Sequence, residues 1–162
     1  MQRTISSAAD GADLLSMAAS FLEHHRQLGC QFCHGTPGDV REFVFPEDIY
    51  DERKLSRVAR NLDQTLFPGH THLPGLFVLP SVRQWEYLEM APGQQYDLRE
   101  CAKRICNVGS VWQPRDGAPR ASYVLFDGQV IHFHRVDYDI DTRVAKLKHR
   151  PDIDDLQGGR LP

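Results

Sequence analysis

Apolar residues between positions 11 and 28 fall at Leu14, Met17, Ala18, Phe21, Leu22 and Leu28. Their intervals of three and four put them on one face of a helix. Asp10 can cap that helix, Asp13 suits its first turn and Gly29 stops it. A second face of this kind, Leu55, Val58, Ala59, Leu62 and Leu66, predicts a helix over 51–66. Between the two, the run from Cys30 to Cys33 reads as a short buried strand ending at His34, and residues 35–39 as a turn cluster. Pro46 interrupts regular structure around 41–50. The stretch 66–80 predicts apolar strand broken at a Pro68-Gly69 turn, which carries His70 and His72. Further strands are expected near Trp85 and through Arg104–Val108. Residues 121–139 alternate around Asp127-Gly128 and predict a β-hairpin. A last helix covers 139–149. The order helix, strand, helix, strand and then a β meander predicts an α/β fold, its later strands antiparallel.

Composition narrows the classes. A chain of 162 residues is one domain by length and can bury about 70% of its extended surface. The net charge of −3 argues against a dedicated nucleic-acid partner or an acidic membrane surface. No apolar run approaches the roughly 18 residues of a membrane span. Near the N-terminus Arg3, Asp10 and Asp13 stand where a signal peptide would need a dense apolar segment, so the reading is cytoplasmic, with four reduced thiols.

Several groups of residues could carry chemistry. Cys30, Cys33 and His34 spell C-x-x-C-H, the attachment signature of a c-type haem. That reading needs export and an axial ligand such as Met17 or Met90. A zinc site from Cys30, Cys33, Cys101 and Cys106 is disfavoured by the extended apolar setting of the first pair and the wider spacing of the second; plain buried thiols fit better. His132 and His134 share a strand face opposite Ile131 and Phe133, the pattern of a solvent face. His24 and His25 read as favourable charges at a helix end. His70 and His72, two apart on an extended segment, would project to one side. They could grip one metal, or each serve one metal of a pair, or stand as solvated loop histidines.

Three stretches, taken in order, resemble one known family: "FCHGTPGDVREFVFPEDIY", "FPGHTHLPGLF" and "NVGSVWQPRDGAPRASYVLFD". Together they look like the closing motifs of the calcineurin-like metallophosphoesterases, and more narrowly of their bacterial branch of small phosphoesterases and phosphodiesterases. The resemblance runs from about Leu28 to Leu161. It implies a sandwich of two sheets flanked by helices, with metals at the strand ends. The implied reaction is hydrolysis of a phosphate mono- or diester by a hydroxide bridging two divalent ions, drawn from Mn, Fe, Zn or Ni. It implies His34 and His70 as ligands of the second metal and His72 as a ligand of the first. Asn107 and Arg115 would approach the anionic substrate, Arg115 through a forked contact; the alternative for Arg115 is pairing with Asp116 or another acid. Trp112 stands where the family usually has glycine.

The family's opening motifs, D-x-H, G-D and G-N-H followed by an acid, have no counterpart here; the Gly38-Asp39 pair belongs to the turn after His34. The expected organisation is therefore an N-terminal helical segment, 1–27, and the C-terminal part of a metallophosphoesterase domain, 28–162, with the N-terminal half of the sandwich missing. Two divalent ions carry +4, and three neutral imidazoles offset none of it, so at most one ion is expected on His34, His70 and His72. Missing strands would leave a sheet edge open to self-association. The expected function is metal-dependent phosphoester hydrolysis, impaired in the lone chain. The alternative is a non-catalytic domain, truncated or vestigial, that binds metal or a partner.

Overall fold

A computed structural model describes residues 24–81 and 84–148. Its framework is two sheets. The larger has six strands in the order β1-β2-β3-β7-β4-β5, and the smaller has three in the order β6-β9-β8. The strands are β1 (His24–Gln27), β2 (Cys30–Cys33), β3 (Thr65–Pro68), β4 (Pro74–Pro80), β5 (Glu86–Leu88), β6 (Gln95–Asp97), β7 (Cys101–Val108), β8 (Ala121–Phe126) and β9 (Val130–Val136). Two α-helices accompany them, α1 (Glu52–Arg60) and α2 (Ile140–Lys148), and a 3₁₀ turn spans Pro46–Tyr50. The mixed α/β class expected from the sequence is the one observed. No helix among the described residues is long and apolar enough to cross a membrane.

The pleat sorts neighbouring side chains into two cores. On one face of the large sheet, Cys30, Phe67, Leu76, Val78 and Cys106 pack against Ile131 and Phe133 of the small sheet. On the other face, Leu66, Phe77 and Ile105 pack beneath Leu55 and Val58 of α1. Leu66 and Phe67 are adjacent, yet each is buried in a different core. A strand covered on both faces reads as a continuous apolar run, as β3 and β4 do.

Three readings of the sequence are corrected. His24–Gln27, placed in the N-terminal helical segment, form a strand paired antiparallel with β2. The two-residue turn Leu28-Gly29 has positive φ at both positions, 51° and 76°, the backbone that a tight hairpin requires. Pairing with β2 outweighs the helical periodicity here; the rest of the predicted helix lies outside the described residues. His24 and His25 thus sit on an edge strand, not at a helix end. The helix predicted over 51–66 ends at Arg60. Buried Gln31 fixes the exit: its amide donates to the carbonyl of Asn61 at 3.1 Å and its side-chain oxygen accepts from the Asp63 N–H at 3.1 Å. The chain then turns into β3, so Leu66 is a strand residue. The start of α1 follows its sequence, with the Asp51 carboxylate capping the Lys54 N–H at 3.0 Å.

The hairpin at Asp127-Gly128 is observed as β8 and β9. Asp127 Oδ1 accepts from the N–H groups of Gln129 and Val130 at 2.8 and 2.7 Å, and Gly128 takes φ 99°. His132 and His134 face away from the Ile131–Phe133 core, and His134 stacks on Tyr123 with ring centroids 5.0 Å apart.

Candidate metal centre

Strands β2, β3 and β7 run parallel. Their C-terminal ends therefore meet at one edge of the sheet, the place where α/β sheets commonly bind ligands. His34 follows β2, His70 follows β3, and Asn107 lies at the end of β7. The register pairs Cys33 with Pro68, and the Gly69 N–H donates to the carbonyl of His34 at 2.9 Å. The two histidine loops are thus joined by backbone. The His34 and His70 rings come to 4.3 Å between centroids, tilted by 59°. Phe43 stacks on His70 at 3.7 Å and 17°, and fixes that ring from the other side.

Gly35 shows why the histidine loop needs glycine. A Cβ there would lie 2.6 Å from the carbonyl oxygen of Glu42 and 2.7 Å from that of Val40. Glu42 clamps this return of the chain. Its carboxylate accepts from Thr36 Oγ1 at 2.7 Å and is gripped by the Arg57 guanidinium of α1. That grip and the Thr36 hydroxyl hold the Glu42 carboxyl below its ordinary range, against a smaller opposing effect of burial.

His70 and His72 both have left-handed backbone, φ 67° and 59°. The sequence reading of an extended segment projecting both rings to one side is therefore replaced by a tight loop. Such a conformation is unfavourable for a residue bearing Cβ and persists only where neighbours impose it. Asn107 is one of those neighbours. Its buried amide donates to the Gly69 carbonyl at 2.7 Å and to Thr71 Oγ1 at 2.6 Å, while its oxygen accepts from the Gly109 N–H at 3.0 Å. Asn107 thus lies beneath the histidine loop with its hydrogen-bonding capacity directed into the scaffold.

The rest of the "NVGSVWQPRDG" stretch holds His72. The carbonyl of Gln113 accepts from His72 Nδ1 at 2.8 Å. A carbonyl can only accept, so in the neutral ring the proton is on Nδ1 and the lone pair on Nε2. Gln113 is held by its N–H to Ser110 Oγ at 2.9 Å, and Ser110 by its N–H to Ser122 Oγ at 2.9 Å. Gly109, φ 82°, has no room for a Cβ, which would meet Ser122 Oγ at 2.4 Å. Arg115 is joined to the loop through its N–H to the His72 carbonyl at 3.3 Å, and its side chain is exposed. Its alternative partner, Asp116, is instead paired with Arg135. Trp112 is half-buried, its carbonyl accepting from the Tyr138 hydroxyl at 3.1 Å.

His34 is held below the ordinary imidazole range, first by burial and then by the neighbouring His70 and His72. A lowered value keeps the ring neutral, the form in which imidazole ligates metal. Held by the Gln113 carbonyl, His72 has the outer-sphere arrangement typical of a ligating histidine. Among the described residues, however, no three or more His, Cys, Asp or Glu side chains are grouped so as to hold a metal ion. In donor chemistry the three imidazoles suit one divalent ion, and with no carboxylate among them they do not fit two.

The four thiols are free. Cys101 and Cys106 are five residues apart on extended β7, a separation of roughly 16 Å, so they cannot close on one ion. Burial pushes the Cys33 thiol up to about 11. Its Sγ–H donates to the Gly35 carbonyl at 3.2 Å, so Cys33 serves the turn after His34. The C-x-x-C-H spelling is then a strand and its terminal histidine.

No protein-family model matches the chain. Over 120 residues, 72% of its length, the chain is 35% identical to the uncharacterized protein MJ0912 of Methanocaldococcus jannaschii, and the match spans 44% of that protein. The fold matches the crystal structure of a metallophosphoesterase from Sphaerobacter thermophilus with a TM-score of 0.77 and 27% identity, over 93% of this chain and 60% of that one. The chain is a relative of the calcineurin-like metallophosphoesterases, and its α/β architecture is of their kind. It spans less than half the length of the curated relative and about three-fifths of the solved structure.

Proposed function

We propose that the chain carries the imidazole side of a metal-dependent phosphoesterase centre acting on phosphate mono- or diesters. The observation behind this is the meeting of His34 and His70 at 4.3 Å, on the edge where three parallel strands end. A divalent ion bound there, drawn from Mn, Fe, Zn or Ni, supplies Lewis acidity and makes water more acidic. The residues do the rest. His34 stays neutral, and His72 is oriented through Nδ1 with Nε2 left for ligation. Arg115 extends from the loop bonded to His72 and can take a phosphate oxygen through its guanidinium. Asn107 acts as a positioning residue beneath the loop. Further ligands, carboxylates above all, are required before a two-ion centre can assemble.

The test pairs metal binding with turnover. Titration calorimetry should show one divalent ion bound, with binding lost in His70→Ala. Mn²⁺ should stimulate hydrolysis of bis(4-nitrophenyl) phosphate, and His72→Ala should remove the stimulation. A second reading is metal binding without turnover: three neutral imidazoles bring no carboxylate to offset the charge of a second ion. Histidine-dependent metal binding with flat activity for every divalent ion would select it. Self-association belongs to the same proposal: β1 and β8 are terminal strands of their sheets, and light scattering of the purified chain tests it.

A further inference from the structure

Beside His34 the sheet carries a row of rings. The register sets His25 opposite Phe32 and Phe32 opposite Phe67, so three in-register side chains share one face across three strands. Phe32 lies nearly parallel to Phe67, with centroids 5.2 Å apart and planes at 12°. His25 continues the row at 6.0 Å from Phe32. Phe126 of the small sheet meets Phe67 edge-on at 5.6 Å. Phe32 nevertheless remains 41% exposed. His25, Phe32 and Phe67 wall a recess of about 420 Å³ whose lining also includes His34 and Arg41. The Arg41 backbone is fixed by its N–H to Asp39 Oδ1 at 2.8 Å, and its side chain is exposed. One recess therefore holds a partly exposed aromatic ring, a cation and a candidate metal ligand.

We propose that this recess is a subsite for the planar ring of a nucleotide phosphate ester, with the base on Phe32 and the phosphate between Arg41 and His34. This deepens the phosphoesterase reading and rests on it for the fate of the phosphate. A base offers a π-face to the Phe32–Phe67 pair, an interaction that tolerates any base. The guanidinium supplies the charge complement of the phosphate. A sugar phosphate without a base would use Arg41 and His34 but not Phe32.

The experiment measures binding of adenosine 5′-monophosphate and of ribose 5-phosphate to the whole chain in EDTA by calorimetry. The base should tighten binding about tenfold over the sugar phosphate. Phe32→Leu keeps the apolar bulk without the ring; it should bring the nucleotide down to the sugar-phosphate value and leave the latter unchanged. Phe32→Tyr should keep the preference, and Arg41→Ala should weaken both ligands alike. Equal affinities in the unaltered chain, or a preference that survives Phe32→Leu, overturns the subsite. Base preference without hydrolysis rejects only the hydrolytic reading, whereas hydrolysis without base preference rejects only the subsite.

Discussion

The side-chain amide of Asn107 lies 2.6 Å from the hydroxyl of Thr71, in the buried space under the loop that carries His70 and His72. A residue at the end of one strand thereby sets the backbone of a loop that follows another. The two histidines hold left-handed conformations because this bond and its partner to Gly69 over-determine them.

Replacing Asn107 tests that support. Asn107→Ala leaves the Gly109 N–H without its partner and takes from the Gly69 carbonyl one of its two donors, the Thr71 N–H at 2.8 Å remaining, and should cost about 2 kcal/mol in urea unfolding. Asn107→Asp should do no better, because a carboxylate cannot donate to the Gly69 carbonyl. Metal affinity should fall in both variants. An unfolding midpoint that Asn107→Ala leaves in place would show that the loop holds itself.

Ser110 should act on the metal through His72 without touching it. Its hydroxyl positions the Gln113 N–H, and the Gln113 carbonyl positions His72. Ser110→Ala should lower divalent-ion affinity about 10- to 100-fold, the usual effect of loosening an outer partner of a ligating histidine. Calorimetry checks it, and unchanged affinity would remove Gln113 from the account.

Two glycines with positive φ should respond differently to alanine. At Gly128, φ 99°, a Cβ meets nothing within 4 Å. Gly128→Ala should cost about 1 kcal/mol, the conformational part alone. At Gly109 the Cβ also strikes buried Ser122, so Gly109→Ala should cost about 3 kcal/mol or more. Equal losses in thermal unfolding would show that the Ser110–Ser122 network yields.

Stability should fall with pH in two separate windows. His34 has a lowered value in the fold, so below its ordinary 6.5 the unfolded chain takes up the proton first. Stability is then lost as pH falls from about 6.5 through the folded value. Glu42 is also lowered, from 4.5, by Arg57 first. It contributes stability above that value, lost as pH falls through its lower folded value. His34→Gln should flatten the first window and Glu42→Gln the second. Urea midpoints measured from pH 8 to 3 separate them, and an unaltered profile in either variant would reject that assignment.

Much of the local structure was legible in the sequence because its causes are local. Asp127-Gly128 folds its own hairpin, Asp51 caps α1, and Cys30–Cys33 is a strand because its apolar run is short and bounded by turns. His24–Gln27 and Leu66 were misread for a shared reason. A helical spacing of apolar residues says nothing about a strand waiting to pair, and β2 and β7 supply those partners. Asn107 was legible as part of a motif, but its place was not. A buried amide and a substrate-facing amide are spelled alike, and only the carbonyl of Gly69 above it distinguishes them.

The sequence by itself determined the chemistry at hand: which residues are imidazoles and which glycines mark turns. The tertiary structure alone decided their meeting. His34 and His70 are adjacent because β2 and β3 run parallel in fixed register. The row from His25 to Phe67 exists for the same reason, with β1 added. Strand pairing joins segments distant in the chain, and its energy comes from partners that no local pattern of residues can name.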